Sequence, residues 1–242
     1  MKYIKEKLTF TNIVVIITAI VYILNIFVIS PDTGSMSLNM IETFQANGEE
    51  LPNTLIFKIF GTWGGHLNDL LGFNINRIFS GEIWRIYTVV FTHANLVHFI
   101  TNMVALIIAG NNIEKKYGTL KTIGLFIILT AINGFMTDFI CNLLGNEVII
   151  SYGASGWITV LIGMILTKCL LNKNYFKTEF KKSSRVYLIL YFVFTTFIIM
   201  PNLFTITAHM SGLIIGAIAE FIIIKFKDKD DDDDELIKFV KE

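Results

Sequence analysis

The sequence predicts an all-α polytopic membrane protein: a bundle of six transmembrane helices with a long, structured outer loop between the first two. Three observations lead to this fold class. Of the 242 residues, 53% are hydrophobic and only 17% are charged, a balance outside that of soluble globular domains. The apolar residues come in blocks close to the ~20 residues that cross a bilayer core. Lysine and arginine are concentrated in alternate connections between these blocks.

Six apolar blocks are predicted to span the membrane, and together they form one domain over residues 1–226. The first block is longer than the apolar core of a signal peptide, and no small-residue cleavage site precedes Pro31, so we expect it to be retained. The fifth block is short and ends at Pro201. The predicted spans are 10–30, 95–113, 119–141, 155–171, 185–200 and 206–226.

The distribution of basic residues predicts that both termini are cytoplasmic. With this orientation 17 of the 20 Lys and Arg residues lie on the inner side, and the three outside are Lys58, Arg77 and Arg85. This asymmetry follows the positive-inside rule. The formal net charge is zero, so the composition indicates no acidic or basic partner, and we expect none among nucleic acids.

The segments between and after the spans give three further expectations. Residues 31–92 form an outer loop too long to lack structure, so it is predicted to hold short interfacial helices. The acidic tail, residues 227–242, repels itself and is predicted to be disordered in the cytoplasm. Cys141 and Cys169 fall near opposite membrane faces and are expected to stay unpaired.

Four polar side chains inside the predicted spans are candidates for function, because such groups are costly in lipid. They are His98 and Asn102 in the second span, Ser155 at the start of the fourth, and His209 in the sixth. At 1.5 Å per residue, His98 lies about 26 Å above Lys115, His209 about 24 Å above Lys225, and Ser155 about 24 Å above Leu171. Groups at one depth on three helices can share a site, and His98 and Asn102 also share a helical face.

A metal site is the weaker interpretation of these residues. His93 and His98 are five positions apart, about 140° on a helix, so they do not share a face. No carboxylate or thiolate stands at a zinc-ligand spacing from them. We therefore expect no metal.

The sixth span carries a stripe of small residues, Ala208, Gly212 and Gly216, that allows close approach of another helix. If that partner is the fourth span, His209 can reach Ser155. A serine and a histidine within hydrogen-bond distance form the minimal activated nucleophile. Taken alone, each of these polar residues is as well explained by a packing hydrogen bond between helices.

Two glycines beside the serine, Gly153 and Gly156, permit a tight start to the fourth span. At a helix N-terminus Ser155 also lies beside unpaired backbone N–H groups and the positive end of the helix dipole. These groups would stabilise a developing oxyanion.

Four motifs, in register across the six spans, resemble the rhomboid family of intramembrane serine proteases. A fifth stretch also looks like the family's end of the second span. The motifs are "GEIWR" in the first loop, "HANLVHFITN" entering the second span, "GASG" opening the fourth and "AHMSGLIIG" in the sixth, and the fifth stretch is "GNNIEKKYG".

The resemblance implies a Ser–His dyad without an acidic third member, with Ser155 as nucleophile and His209 as general base. It implies an oxyanion hole made by the side chains of His98 and Asn102 and the backbone N–H of Ser155. No cofactor is expected. Structural support would come from Gly153, Gly156, Gly212, Gly216, Trp84, Arg85 and Glu114.

The resemblance also implies the substrates and the location, and two rival interpretations of the sequence stay open. Single-span membrane proteins in the bilayer would be cut near the outer face, in the cell membrane and, by expectation, a bacterial plasma membrane. The first alternative is a catalytically inactive relative that binds membrane-protein clients. The second is a transporter with histidine proton relays, although no internal repeat supports it.

The chain departs from the family pattern at one position. The family usually has an aromatic residue four positions after the serine, under the histidine ring, and here that position is Thr159. Trp157 lies about 200° around the helix from Ser155 and is not expected to replace it. The sequence thus leaves open which residue orients His209, as well as the physiological substrate, the oligomeric state and the role of the tail.

Overall fold

The computed structural model describes residues 8–25, 66–145, 150–198 and 202–240, with side chains as far as Phe226. The predicted interfacial helices within residues 31–65 lie outside the described residues. Two short turns accompany the α-helices: a 3₁₀ turn, Val89–Phe91, and a π-helical turn, Phe194–Ile198. The α-helices are α1 Phe10–Leu24, α2 His66–Leu71, α3 Ile75–Phe79, α4 Arg85–Thr88, α5 Leu96–Tyr117, α6 Thr119–Leu143, α7 Ser155–Leu171, α8 Tyr175–Glu179, α9 Lys182–Val193 and α10 Leu203–Val240.

The described helices confirm a multi-pass helical membrane architecture. Three of them, α5, α6 and the part of α10 over Leu203–Phe226, are long and apolar enough to cross a bilayer. α1 and α7 are apolar but shorter, with 15 and 17 residues. The count of six spans therefore stays a prediction, and the ends of the predicted first and fifth spans lie outside the described residues.

The last helix, α10, differs from the prediction for the tail. Its helical backbone continues to Val240, through most of the acidic segment that the sequence predicts to be disordered. Adding residues to a helix that is already nucleated costs much less than starting one, so a span can extend into a poor helix-forming sequence. The domain boundary at residue 226 stays a prediction.

The central helix of the bundle is α7. Ten of its 17 residues are buried, and its main neighbours are α10, α5 and α6. Lys168, in its last turn, is buried and pairs with the buried Glu220 of α10 across 2.6 Å. Tyr117 of α5 donates a hydrogen bond to the other carboxylate oxygen of Glu220. This network joins three helices at one end of the bundle.

Contacts between helix ends show which connections share a side of the bundle. Glu114, near the end of α5, accepts hydrogen bonds from the backbone N–H groups of Phe10 (2.7 Å) and Thr11 (2.9 Å) at the start of α1. Its neighbour Lys115 pairs with Glu179 of α8 across 3.6 Å. The start of α1, the end of α5 and the connection between α7 and α9 therefore lie on one side, as the predicted topology requires.

Cys141 is buried near the end of α6 and Cys169 is half-buried near the end of α7, and no disulfide joins them in the described part of the chain.

Candidate active site

The short helices α2, α3 and α4 form a platform that holds the chain just before α7. Arg85 is fully buried and its guanidinium donates to the carbonyl oxygens of Asp69 (2.7 Å) and Gly72 (2.9 Å). Phe73, the next residue, forms a two-way backbone bridge with Ser151, with N–O distances of 3.0 and 3.1 Å. Arg85 thereby reaches the segment that leads into Ser155. Trp84, beside it, is 44% exposed.

A second contact from this platform involves Tyr152. Its hydroxyl donates to the carboxylate of Asp69 across 3.1 Å. Burial, and then the negative charge of Asp69, raise the pKa of Tyr152. The tyrosine therefore remains a neutral donor at physiological pH, which keeps this anchor intact.

Gly153 occupies a position that only glycine suits. Its φ is +111°, in the region that side chains disfavour, and its N–H donates to the Val89 carbonyl oxygen across 3.1 Å. A β-carbon at Gly153 would lie 2.9 Å from Nε2 of His98 and 3.5 Å from Nδ2 of Asn102. The structure thus brings both predicted oxyanion donors of α5 to the turn that precedes Ser155.

Ser155 is the first residue of α7, where the sequence predicts the span to begin. Ala154 before it makes no side-chain cap, so the first N–H groups of α7 are left for another acceptor. Among the described residues the Ser155 hydroxyl forms no hydrogen bond, and the direct bond to His209 that a dyad requires is not made in this structure.

Helices α7 and α10 approach backbone to backbone through their glycines. A β-carbon at Gly216 would collide with the Val160 carbonyl, and one at Gly163 with the Leu213 carbonyl. A β-carbon at Gly212 would collide with the Thr159 hydroxyl and lie 3.0 Å from the Gly156 carbonyl oxygen. Gly156 directly follows Ser155 and Gly212 lies one turn after His209, so the serine and the histidine belong to the same end of this interface.

The oxyanion candidates are held with their donors free. The Nδ1 atom of His98 is 3.5 Å from the backbone N–H of Ala94 and accepts from it, so the ring proton belongs on Nε2, the atom nearest Gly153. Tyr191 of α9 donates its hydroxyl to Oδ1 of Asn102. The amide nitrogen of Asn102 is buried and, within the described part of the chain, has no hydrogen-bond partner.

His209 is buried, and its Nδ1 atom lies 3.0 Å from the hydroxyl of Thr196, in the π-helical turn after α9. Thr159, at the position of the family's aromatic residue, instead donates to the Gly156 carbonyl and packs on Gly212. Trp157 packs edge-on against Phe126, with ring centroids 5.4 Å apart. Thr196 is thus a hydrogen-bond partner of the histidine ring.

A polar cluster on α6 supports α10 beside the histidine. Ser211 donates to Oδ1 of Asn133 across 2.7 Å and lies 3.1 Å from the Thr137 hydroxyl. The amide of Asn133 is 3.4 Å from the Ala208 carbonyl and would meet a β-carbon at Gly156 at 2.8 Å. Asn133 therefore touches both helices next to the two candidate dyad residues.

A cavity of about 70 Å³ lies beside Ser155. Its wall includes the cluster residues Asn133 and Thr137, together with Tyr152 and Phe204. A water molecule needs roughly 10–15 Å³ of such volume and several polar partners, so the cavity has room for a few waters next to the hydroxyl.

Sequence reasoning missed several residues of this site, and those closest to the candidate catalytic groups are Asn133, Tyr191, Thr196 and Ser211. Each is a polar residue in a predicted span, but that signal also fits ordinary helix packing. His93 and His98, in contrast, come closer than their spacing indicated, with ring centroids 5.0 Å apart. In the described ranges no group of three or more His, Cys, Asp or Glu side chains could hold a metal ion.

Fold and site together define a multi-pass membrane protein with a serine at a helix start, two amide or imidazole donors beside it and a histidine on the neighbouring helix. The family model of the Rhomboid domain matches residues 80–226, which is more than half of the chain and contains every site residue named above except Asp69, Gly72 and Phe73. The chain belongs to the rhomboid family.

Three relatives give the range of similarity. The chain is 29% identical to RHOMBOID-like protein 1 of Arabidopsis thaliana, over 59% of this chain and 35% of that one. It is 28% identical to Rhomboid protease GlpG of Haemophilus influenzae, over 61% of this chain and 73% of that protein. It is 27% identical to Rhomboid-type serine protease 2 of Neurospora crassa, over 64% of this chain and 54% of that protein. The chain thus spans well under half the length of RHOMBOID-like protein 1.

Proposed function

We propose that this protein is an intramembrane serine endopeptidase that cleaves transmembrane segments of membrane proteins near the outer face, with Ser155 as nucleophile and His209 as general base. The observation that carries the proposal is the free, buried amide of Asn102, directed with Nε2 of His98 at the turn before Ser155. A buried donor without a partner is costly, so its retention at this point favours an acceptor that arrives with the substrate.

The mechanism uses two proton transfers by one histidine. Nε2 of His209 takes the proton of Ser155 as the hydroxyl oxygen attacks the scissile carbonyl. The oxyanion of the tetrahedral intermediate accepts hydrogen bonds from Asn102, from His98 and from the first N–H of α7. His209 then protonates the leaving amine, and an acyl-enzyme ester on Ser155 remains.

Hydrolysis of the ester reverses these roles. A water molecule, for which the cavity beside Ser155 has room, is deprotonated by His209 and attacks the ester carbonyl. The oxyanion forms again in the same position, and the ester bond breaks as Ser155 regains its proton. The new carboxyl terminus leaves, and the enzyme returns to its starting state without a cofactor.

A second candidate, an inactive rhomboid-like protein that binds membrane-protein clients, is favoured by one observation: Ser155 forms no hydrogen bond to His209. We regard this as weaker evidence, because catalytic hydrogen bonds in substrate-free enzymes are often long and tighten only in the complex. All four residues that the chemistry needs are also present.

The test is cleavage of a reporter single-span protein by the purified protein in detergent or liposomes. Cleavage should be abolished by Ser155→Ala and by His209→Ala, with the melting temperature nearly unchanged, because each dyad member is ineffective without the other. A fluorophosphonate should label the wild type but not Ser155→Ala. Cleavage by either variant at a tenth of the wild-type rate, or binding of the substrate without any cleavage or labelling by the wild type, would remove the dyad assignment.

A further inference from the structure

The helix α9 and its π-helical turn direct two buried hydroxyls at the candidate catalytic groups. Tyr191 meets Asn102 and Thr196 meets His209. Five positions apart, these two residues would point about 140° away from each other on a regular α-helix. The π turn over Phe194–Ile198 changes that register, and both side chains are buried, with exposures of 4% and 0%. Single π turns of this kind are frequent at functional sites.

The contact made by Thr196 is unlike that of other threonines in these helices. Thr18, Thr101 and Thr195 each donate to a backbone carbonyl four residues earlier in their own helix, which is the usual solution for a hydroxyl in a membrane helix. Within the described part of the chain, the Thr196 hydroxyl has a single hydrogen-bond partner, Nδ1 of His209 on another helix.

The chemistry of a general base decides the direction of this bond. To take the proton of Ser155, His209 must present an unprotonated Nε2, and its one ring proton must then be on Nδ1. That N–H needs an acceptor in a buried site, and the Thr196 oxygen lies 3.0 Å away. The opposite arrangement, with Thr196 donating to Nδ1, would put the proton on Nε2 and block the base.

We infer that Thr196 is a positioning residue for the proposed dyad: its hydroxyl oxygen accepts the Nδ1–H of His209 and holds the tautomer and the ring plane that direct Nε2 at Ser155. The inference rests on the proposed function. It assigns to Thr196 the orienting task that the residue at position 159 does not perform in this chain, since Thr159 is committed to Gly156 and Gly212.

The experiment compares Thr196→Val, Thr196→Ser and Thr195→Val in the full-length protein. Valine removes the hydroxyl at nearly constant volume, serine keeps it, and Thr195 is the adjacent, half-buried control that bonds only its own helix. We expect Thr196→Val to lower kcat about 5- to 50-fold, with KM within about twofold and a parallel loss in the rate of fluorophosphonate labelling, because general-base catalysis contributes roughly 10²- to 10⁴-fold. The kcat of Thr196→Ser should be within about threefold of the wild-type value. The kcat of Thr195→Val should equal that of the wild type.

The outcomes separate this inference from the proposed function. If Thr196→Val retains the wild-type kcat while Ser155→Ala is inactive, the dyad stands and Thr196 only fills space. If valine and serine at position 196 reduce kcat equally and lower the melting temperature together, its role is packing and the inference is wrong. If the wild type itself neither cleaves nor reacts with the fluorophosphonate, the proposed function is lost, and the inference with it.

Discussion

Tyr191 donates its hydroxyl hydrogen to the carbonyl oxygen of the Asn102 side chain. The bond fixes the orientation of the Asn102 amide. Its oxygen faces α9, and its nitrogen lies beside Gly153 without a hydrogen-bond partner in the described part of the chain. A tyrosine on one helix thus sets the direction of a donor on another.

The first prediction separates catalysis from packing at Asn102 and His98. Asn102→Ala and His98→Ala should each lower kcat by about 10- to 10³-fold with little change in KM, because an oxyanion donor acts mainly on the transition state. Fluorophosphonate labelling of Ser155 should persist at a reduced rate, since nucleophile and base remain. Full turnover combined with earlier melting would identify both side chains as packing groups.

The second prediction concerns the orientation of the Asn102 amide. Tyr191→Phe removes only the hydroxyl that holds Oδ1, so the amide gains freedom to rotate, and we expect kcat to fall about 3- to 20-fold at unchanged KM. Tyr187→Phe is the matched control on the same helix, because that hydroxyl bonds the Thr101 backbone carbonyl across 2.9 Å and touches no candidate catalytic group. Equal losses in the two variants would show a general effect on α9 instead.

The third prediction tests the contact between α7 and α10. Gly216→Ala should destabilise the protein by about 1–3 kcal/mol, the usual cost of overpacking, because the added methyl meets the Val160 carbonyl. Gly124→Ala on α6, where a β-carbon meets nothing within 4 Å, should leave stability equal or raised. Thermal melting in one detergent compares the two, and equal melting temperatures would contradict the close approach.

The fourth prediction assigns the sides of the membrane. In a Cys141→Ser, Cys169→Ser background, a single cysteine at position 48 should react with an impermeant reagent from outside, and one at position 176 only from the cytoplasm. The reason is the 17-to-3 asymmetry of basic residues. Outside labelling at position 176 would invert the topology and move Ser155 to the other leaflet.

Much of the site is readable in the sequence because its signals are local. The start of α7 at Ser155 follows from a glycine-rich stretch that opens an apolar block, and the shared face of His98 and Asn102 follows from helical periodicity. The small-residue stripe of α10 correctly indicated a close helix partner, and that partner is α7. The helical extension of α10 to Val240 does not follow from the acidic run itself, which repels itself, because it depends on the apolar helix that precedes the run and nucleates it.

Thr159 is a position at which the sequence shows that a residue is missing but does not show what replaces it. Its mismatch with the family pattern is visible in the sequence, but the replacement, Thr196, stands 37 positions further on in an unremarkable apolar helix. The role of Thr196 depends on a π turn that rotates the end of α9, and no periodic pattern in the sequence predicts such a turn.

The amino-acid sequence by itself determined the membrane class, the alternation of basic and non-basic connections, and the residue types able to carry acyl-transfer chemistry, since each depends on composition or on spacing within one helix. Only the tertiary structure decided that Tyr191 bonds Asn102, that Thr196 meets His209, and that Arg85 bonds the backbone next to the bridge between Phe73 and Ser151. The physical reason is that a polar side chain in a helix bundle finds its partner through the rotation and crossing of whole helices. Those are properties of the packed assembly.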